Sequence, residues 1–116
     1  MPAELHAIAH AVGIAAIKYA DLSADRLKDY VFSWSKMLAT VGNTGPYLQY
    51  AVARFRSIVR KAGEDIVPGA LRVEAPAERA LALALTSFAD VLVEVEATLE
   101  PHRLCTYLYE LAAAVA

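Results

Sequence analysis

Residues Gly42 to Gly63 read GNTGPYLQYAVARFRSIVRKAG. The stretch is punctuated at both ends and periodic between them. Val41 through Pro46 form a breaker cluster, and Pro46 suits the first turn of a helix, where its missing N–H leaves nothing unpaired. Gly63 suits the stop. At about 100° per residue, Leu48, Ala51, Val52, Phe55, Ile58, Val59 and Ala62 share one face, so the spacing predicts an amphipathic helix over 46–62. Tyr47, Arg54 and Lys61 lie seven residues apart, nearly in register on its polar side, with Tyr50 beside them. Arg56 and Arg60 form a second row about 160° or more away around the axis.

A half-apolar helix needs neighbours, and the rest of the chain supplies helical ones. Leu5, Ile8, Val12 and Ala16 repeat at three and four residues, predicting a helix over about 3–19 that Gly13 is expected to break in two. Ser23 or Asp25 can start a further turn. Tyr30-Val31-Phe32-Ser33-Trp34 is aromatic and β-leaning but short for a strand. Residues 64–75, with Pro68-Gly69, read as a loop. Pro76 opens a helix to about Leu85. Ser87, with Asp90 three residues on, resembles a capping box starting a helix over about 87–99, with Phe88, Val91, Leu92 and Val95 as its core stripe. Pro101 opens the last helix, whose stripe is Leu104, Leu108, Leu111 and Val115. Tyr107 and the Ala112-Ala113-Ala114 run make that helix apolar on more than one face. It therefore wants cover on both sides, from the 64–75 loop or from a second chain. The expected fold class is all-α, a bundle of five or six helices without an internal repeat.

Composition agrees. The chain has 116 residues and is 58% apolar, with 24 alanines, five Gly and five Pro. Alanine is the strongest helix former, and this apolar content excludes disorder. A chain of this length forms one domain, or one domain with an appendage, and buries a core without staples. No stretch approaches the roughly 18 uncharged apolar residues of a membrane span, and no basic residue precedes the apolar part of Met1–Ile17, as a secretory signal requires. The single cysteine, Cys105, excludes an internal disulfide. A cytoplasmic location is expected.

The net charge of −2 is unevenly placed. Residues 30–63 contain no acid and five bases, Lys36, Arg54, Arg56, Arg60 and Lys61; residues 64–116 carry nine acids against three bases. A dipolar chain of this kind attracts a polyanion locally despite its negative total. Arginine and lysine neutralise phosphates and tyrosine rings stack on unpaired bases, so the interleaved face of the 46–62 helix suits RNA. The competing reading buries the tyrosines and pairs the cations with the acidic C-terminal half.

Other constellations carry less. His6 and His10 stand one helical turn apart, but His-Ala-Ile-Ala-His lacks the glutamate of a zincin, and no third ligand is identifiable. No metal or other cofactor is expected. Cys105, one turn after His102, lies on an apolar helix, where a free thiol is packing material. Gly42-Asn43-Thr44-Gly45 lacks the Lys-Ser/Thr of a phosphate loop. No catalytic residue is assigned.

Four segments resemble class I arginyl-tRNA synthetases in order and spacing: Val12 to Ser23, Asp29 to Leu38, Gly42 to Ile58, and Leu99 to Leu111. The third is the most specific and resembles the junction between the catalytic half and the helical anticodon-binding domain of the DALR type. The resemblance implies a stem-contact-like junction segment at 1–45 and an anticodon-binding domain at 46–116, with the family's closing helices expected beyond Ala116. Both ATP-site signatures of the family, His-x-Gly-His and Lys-Met-Ser-Lys, are missing; Ser35-Lys36-Met37-Leu38 has the wrong order. Where the family has Asp, this chain has Ser33 and Ser35, and it has Val41 where the family has an acid or small polar residue. These departures suit a stand-alone or degenerating paralogue better than a piece of a working enzyme.

The resemblance thus implies a non-catalytic tRNA-binding module, plausibly for an arginine acceptor. Tyr47, Tyr50, Arg54, Arg56, Arg60 and Lys61 are the expected RNA contacts, and His102 and Arg103, at a helix N-terminus, a weaker anion site. Two alternatives stand beside it. One is a protein-interaction or homodimerisation module docking through the apolar last helix. The other is a split fragment that supports aminoacylation by a separate catalytic chain.

Overall fold

The computed structural model describes residues 2–63 and 69–115. They form six helices: α1 (Pro2–Ser23), α2 (Trp34–Met37), α3 (Gly45–Ala62), α4 (Pro76–Thr86), α5 (Phe88–Thr98) and α6 (Pro101–Val115). There is no strand among the described residues, so the fold is all-α as the periodicity predicts.

Each boundary has a local cause. Thr44 caps α3: its hydroxyl accepts from the Tyr47 amide at 3.2 Å and donates to the Ala39 carbonyl at 2.6 Å. Gly63 ends α3 at φ 95°, a left-handed backbone that glycine adopts without penalty. Pro76 opens α4, and Glu78 reaches back to accept from the amides of Glu74 (2.8 Å) and Ala75 (2.9 Å). Those two amide bonds hold the Glu78 carboxyl below its ordinary pKa of 4.5.

Two local expectations are corrected. Gly13 does not break α1, which runs unbroken for 22 residues. A helical glycine costs only about 1 kcal/mol against alanine, less than the packing on its C-terminal side supplies. Ser87 does not cap α5. Its backbone is helical (φ −77°, ψ −6°), so its hydroxyl turns back to the Leu83 carbonyl at 3.2 Å instead of forward to the α5 amides. Helices α4 and α5 are consequently separated by Ser87 alone.

The packing centres on α6, which touches α1, α3, α4 and α5. Cys105 and Tyr107 of α6, Ala16 of α1 and Met37 of α2 are the buried apolar residues. The Tyr107 hydroxyl donates to the Ala84 carbonyl at 2.8 Å, tying α6 to α4. The Tyr19 hydroxyl lies 2.9 Å from the Cys105 carbonyl and 2.6 Å from the Asn43 side-chain amide, joining α1, α6 and the loop before α3. Burial pushes both the Tyr19 phenol and the Cys105 thiol above their ordinary pKa values, so each stays neutral at pH 7. A neutral buried thiol is packing material, as its setting on an apolar helix predicts.

The contact between α1 and α3 is close. A Cβ on Gly45 would lie 2.7 Å from the Ala15 carbonyl oxygen and 3.1 Å from the Tyr19 Cβ, so the first turn of α3 rests directly on the α1 backbone. Farther along, Gln49 Nε2 approaches the Ala11 carbonyl at 3.5 Å. These contacts anchor only the N-terminal part of α3.

The expected cover for α6, from the 64–75 loop or a second chain, is supplied in part by its own bundle, while residues 113–115 at its end are exposed. Along its first three turns α6 is met by α1, α3, α4 and α5 of its own chain. The part of the 64–75 loop at residues 64–68 lies outside the described residues; 69–75 form no helix apart from the entry into α4.

Candidate nucleic-acid interface

Helix α3 presents the candidate site. Its anchored first turns carry Tyr47, which is half-buried, its ring centroid 5.5 Å from that of Tyr109 on α6. Tyr47 is therefore packed between helices and is no free stacking platform. Tyr50, one turn on, is 55% exposed.

The apolar face of α3 is covered only in its N-terminal part. Leu48 and Ala51 are half-buried, but Val52, Phe55, Ile58 and Val59 are each more than half exposed. The cause is length: 18 residues make about 27 Å of helix, and only its first turns meet α1 and α6. The remainder stands away from the bundle.

This projection creates an open groove of about 440 Å³ between α3, α4 and the end of α6. Tyr47, Tyr50, Arg54, Phe55 and Ile58 line one wall; Glu78, Leu81 and Val115 are among the residues opposite. The structure thus brings Tyr47, Tyr50 and Arg54 to one groove, as their helical register predicts. Arg56 instead borders a separate shallow hollow with Leu48, Gln49, Val52 and Ala53. Arg60 and Lys61 are exposed in the last turn of α3, where positive charge also complements the helix dipole.

Among the described residues, no ion pair or side-chain hydrogen bond engages Arg54, Arg56, Arg60 or Lys61. Of the acidic half, Glu78 shares the groove with Arg54 but makes no ion pair with it. Two of that half's carboxylates are used elsewhere: Arg103 binds Glu94 at 2.7 Å and Glu100 at 2.5 Å. The Arg103 guanidinium holds the Glu100 carboxyl below its usual range. His102 is half-buried beside these groups. The anion site expected at His102 and Arg103 is therefore already furnished with carboxylates from the chain itself, and its positive charge is matched. His6 and His10 are both exposed on α1, and no cluster of three metal-ligating side chains forms among the described residues.

Two features escaped sequence reasoning. Phe55 and Ile58 enter the groove as exposed apolar residues; the periodicity that revealed them cannot tell a covered face from a bare one. Lys36 borders a second pocket of about 220 Å³ with Tyr19, Ser23, Tyr30, Asn43 and Thr44. That pocket depends on α1 meeting the loop before α3, for which the sequence holds no local signal.

Comparison with known proteins assigns the helical part of this arrangement. The family model described as the DALR anticodon binding domain matches residues 48–116. The chain belongs to the DALR anticodon-binding domain family. The DALR match begins within α3 and includes Tyr50, Arg54, Arg56, Arg60 and Lys61. Ahead of it, residues 1–34 match the model for the catalytic domain of class I (R) tRNA synthetases.

Relatives of this DALR chain include an arginine–tRNA ligase of Thermobifida fusca, 62% identical over 108 residues, and one of Frankia casuarinae, 58% identical over 113 residues. The matches cover 91% and 96% of this chain but 19% of each ligase, so the chain spans about a fifth of the length of these relatives. Among solved structures, Thermus thermophilus arginyl-tRNA synthetase superposes with a TM-score of 0.82 at 41% identity, covering 90% of this chain and 18% of that one. The Plasmodium falciparum enzyme gives 0.81 at 36% identity, covering 87% of this chain and 19% of that one. No helix among the described residues is long and apolar enough to cross a membrane.

Proposed function

We propose that the chain is a tRNA-binding module acting through the projecting part of α3, with no catalytic residues of its own. The observation that carries this reading is the set of cations on α3, Arg54, Arg56, Arg60 and Lys61, unengaged by carboxylates among the described residues and flanked by the exposed Tyr50 ring. Arg54 and Lys61 neutralise phosphates, Arg56 and Arg60 extend the positive surface around the helix, and Tyr50 stacks on an unpaired base. Tyr47 positions the helix against α6. The boundary we propose lies at the anchored turn of α3: residues 1–45 act as the junction segment and 46–116 as the RNA-binding domain. The arginine–tRNA ligase relatives support an arginine acceptor as the cognate tRNA.

The test is a fluorescence-anisotropy titration with bulk tRNA and arginine isoacceptors at low and moderate salt. Affinity is expected to fall steeply with salt, because phosphate contacts release counterions. The double variant Arg54→Glu/Lys61→Glu is expected to weaken binding by roughly tenfold or more and to reduce the log–log salt slope by roughly 1.4–1.8. Binding that is flat across salt, or equal in the double variant, refutes the proposal.

A further inference from the structure

The N-terminal arm of α1 stands clear of the bundle. Residues 2–11 are all exposed, and the buried residue of this helix, Ala16, comes later. His6 and His10 lie on the exposed arm, one helical turn apart. At about 100° per residue the two side chains leave the axis only about 40° apart. Ala3 and Gly13 are their neighbours along that face, and a Cβ on Gly13 would meet nothing within 4 Å. The face is open and bears no bulky side chain beside the two rings. Among the described residues neither imidazole takes part in a hydrogen bond or an ion pair. Glu4, the nearest carboxylate in sequence, leaves the helix about 160° away from His6. The arm thus carries two free imidazoles side by side and no third ligand.

The missing third ligand excludes a closed zinc site, which takes three or four protein ligands. It does not exclude an open one. Cu²⁺ and Ni²⁺ favour tetragonal coordination by nitrogen and oxygen, in which water fills the corners the protein leaves free. Two adjacent corners of such an ion need nitrogens about 3 Å apart, within reach of two rings whose Cβ atoms stand about 5–6 Å apart at i and i+4. Once one ring has bound, the other is held beside the ion at high effective concentration. We infer that His6 and His10 chelate one divalent cation of the Ni²⁺ or Cu²⁺ class, each through one ring nitrogen, with water completing the coordination. The bound ion staples one turn of a helical arm that no other element covers. Elsewhere among the described residues no group of three metal-ligating side chains forms, and Cys105 is buried. The inference stands on a different element from the tRNA reading and is independent of it.

The experiment titrates the untagged chain with NiCl₂ by calorimetry in a non-chelating buffer. One Ni²⁺ per chain is expected, and competition is expected to rank Cu²⁺ above Ni²⁺ and Ni²⁺ above Co²⁺. His6→Ala and His10→Ala change side chains already in solvent, so both variants are expected to keep the helical circular-dichroism spectrum. Each is expected to weaken nickel binding by roughly tenfold or more, because the chelate falls to a single ring. The decisive variant is His10→Ala/Ala11→His. It keeps the chain's three histidines but turns the second ring to about 140° from the first. It is expected to bind as weakly as the single variants. His102→Gln and Arg54→Glu/Lys61→Glu are expected to take nickel like the unaltered chain. Hydrogen exchange is expected to slow on nickel addition at the amides of residues 6–12. The inference is overturned by the lack of saturable binding, or by a His10→Ala/Ala11→His variant that binds as tightly as the unaltered chain. Loss of binding in His102→Gln overturns it too. So does one Ni²⁺ per two chains with a doubled mass in light scattering, which would put half of the ligands on a second copy.

Discussion

Gly45 and Gly13 are both helical glycines, and their surroundings give opposite predictions for the same substitution. A methyl group at Gly45 meets the Ala15 carbonyl oxygen at 2.7 Å, a backbone atom that cannot rotate away. Gly45→Ala is expected to destabilise the chain by about 1–3 kcal/mol through overpacking and to push α3 off α1. Gly13 has nothing within 4 Å of the same position. Gly13→Ala is expected to raise stability by about 0.5–1 kcal/mol, because alanine has the higher helix propensity. Urea melts of the two variants check both signs. The sequence showed Gly45 as part of a breaker cluster and Gly13 as a break in a periodic run. It could not rank them, since the distinction lies in what each faces across the bundle.

Helix α4 illustrates how a terminus couples stability to pH. Glu78 satisfies two backbone amides at its start, and its folded pKa lies below the ordinary 4.5. A carboxyl lowered on folding adds stability that is present above its unfolded pKa and lost as the pH falls through the folded value. Melting temperature is therefore expected to fall between pH 7 and pH 3. Glu78→Gln is expected to melt lower at pH 7 and to lose less on acidification; identical pH profiles contradict the cap. Element by element, the sequence was most readable where side chain and backbone cooperate within one turn, as at Pro46, Gly63, Pro76 and Pro101. It failed at Ser87, where a cap and a mid-helix serine share one local pattern and only the backbone angle separates them. The site was legible to the same degree. Register placed Tyr47, Tyr50 and Arg54 together. Register could not show that Tyr47 is buried against Tyr109 or that Arg103 is matched by Glu94 and Glu100, because those partners come from other elements.

The whole molecule is a flat slab, 46 × 44 × 21 Å, with a Cα radius of gyration of 16.8 Å. A compact domain of this length would have about 13 Å. The difference comes from the parts that stand away from α6, including the far end of α3 and the extended segment before α2. X-ray scattering at low concentration is expected to return a radius close to 16.8 Å; a value near 13 Å would mean that these surfaces fold back on their own chain. The surface proposed for tRNA occupies one of those outlying parts; register and charge showed its residues, but not that the end of α3 stands clear of the bundle. The contact at Gly45 carries a mechanical consequence. Lys61 lies sixteen residues beyond it, about 24 Å along the axis. Helix α3 is thus a lever with its pivot at one glycine, and a tilt of about 10° there swings the far cation by about 4 Å over that arm. Such a swing exceeds the reach of a hydrogen bond, so the aim of the charged tip is set by a contact at the opposite end of the helix.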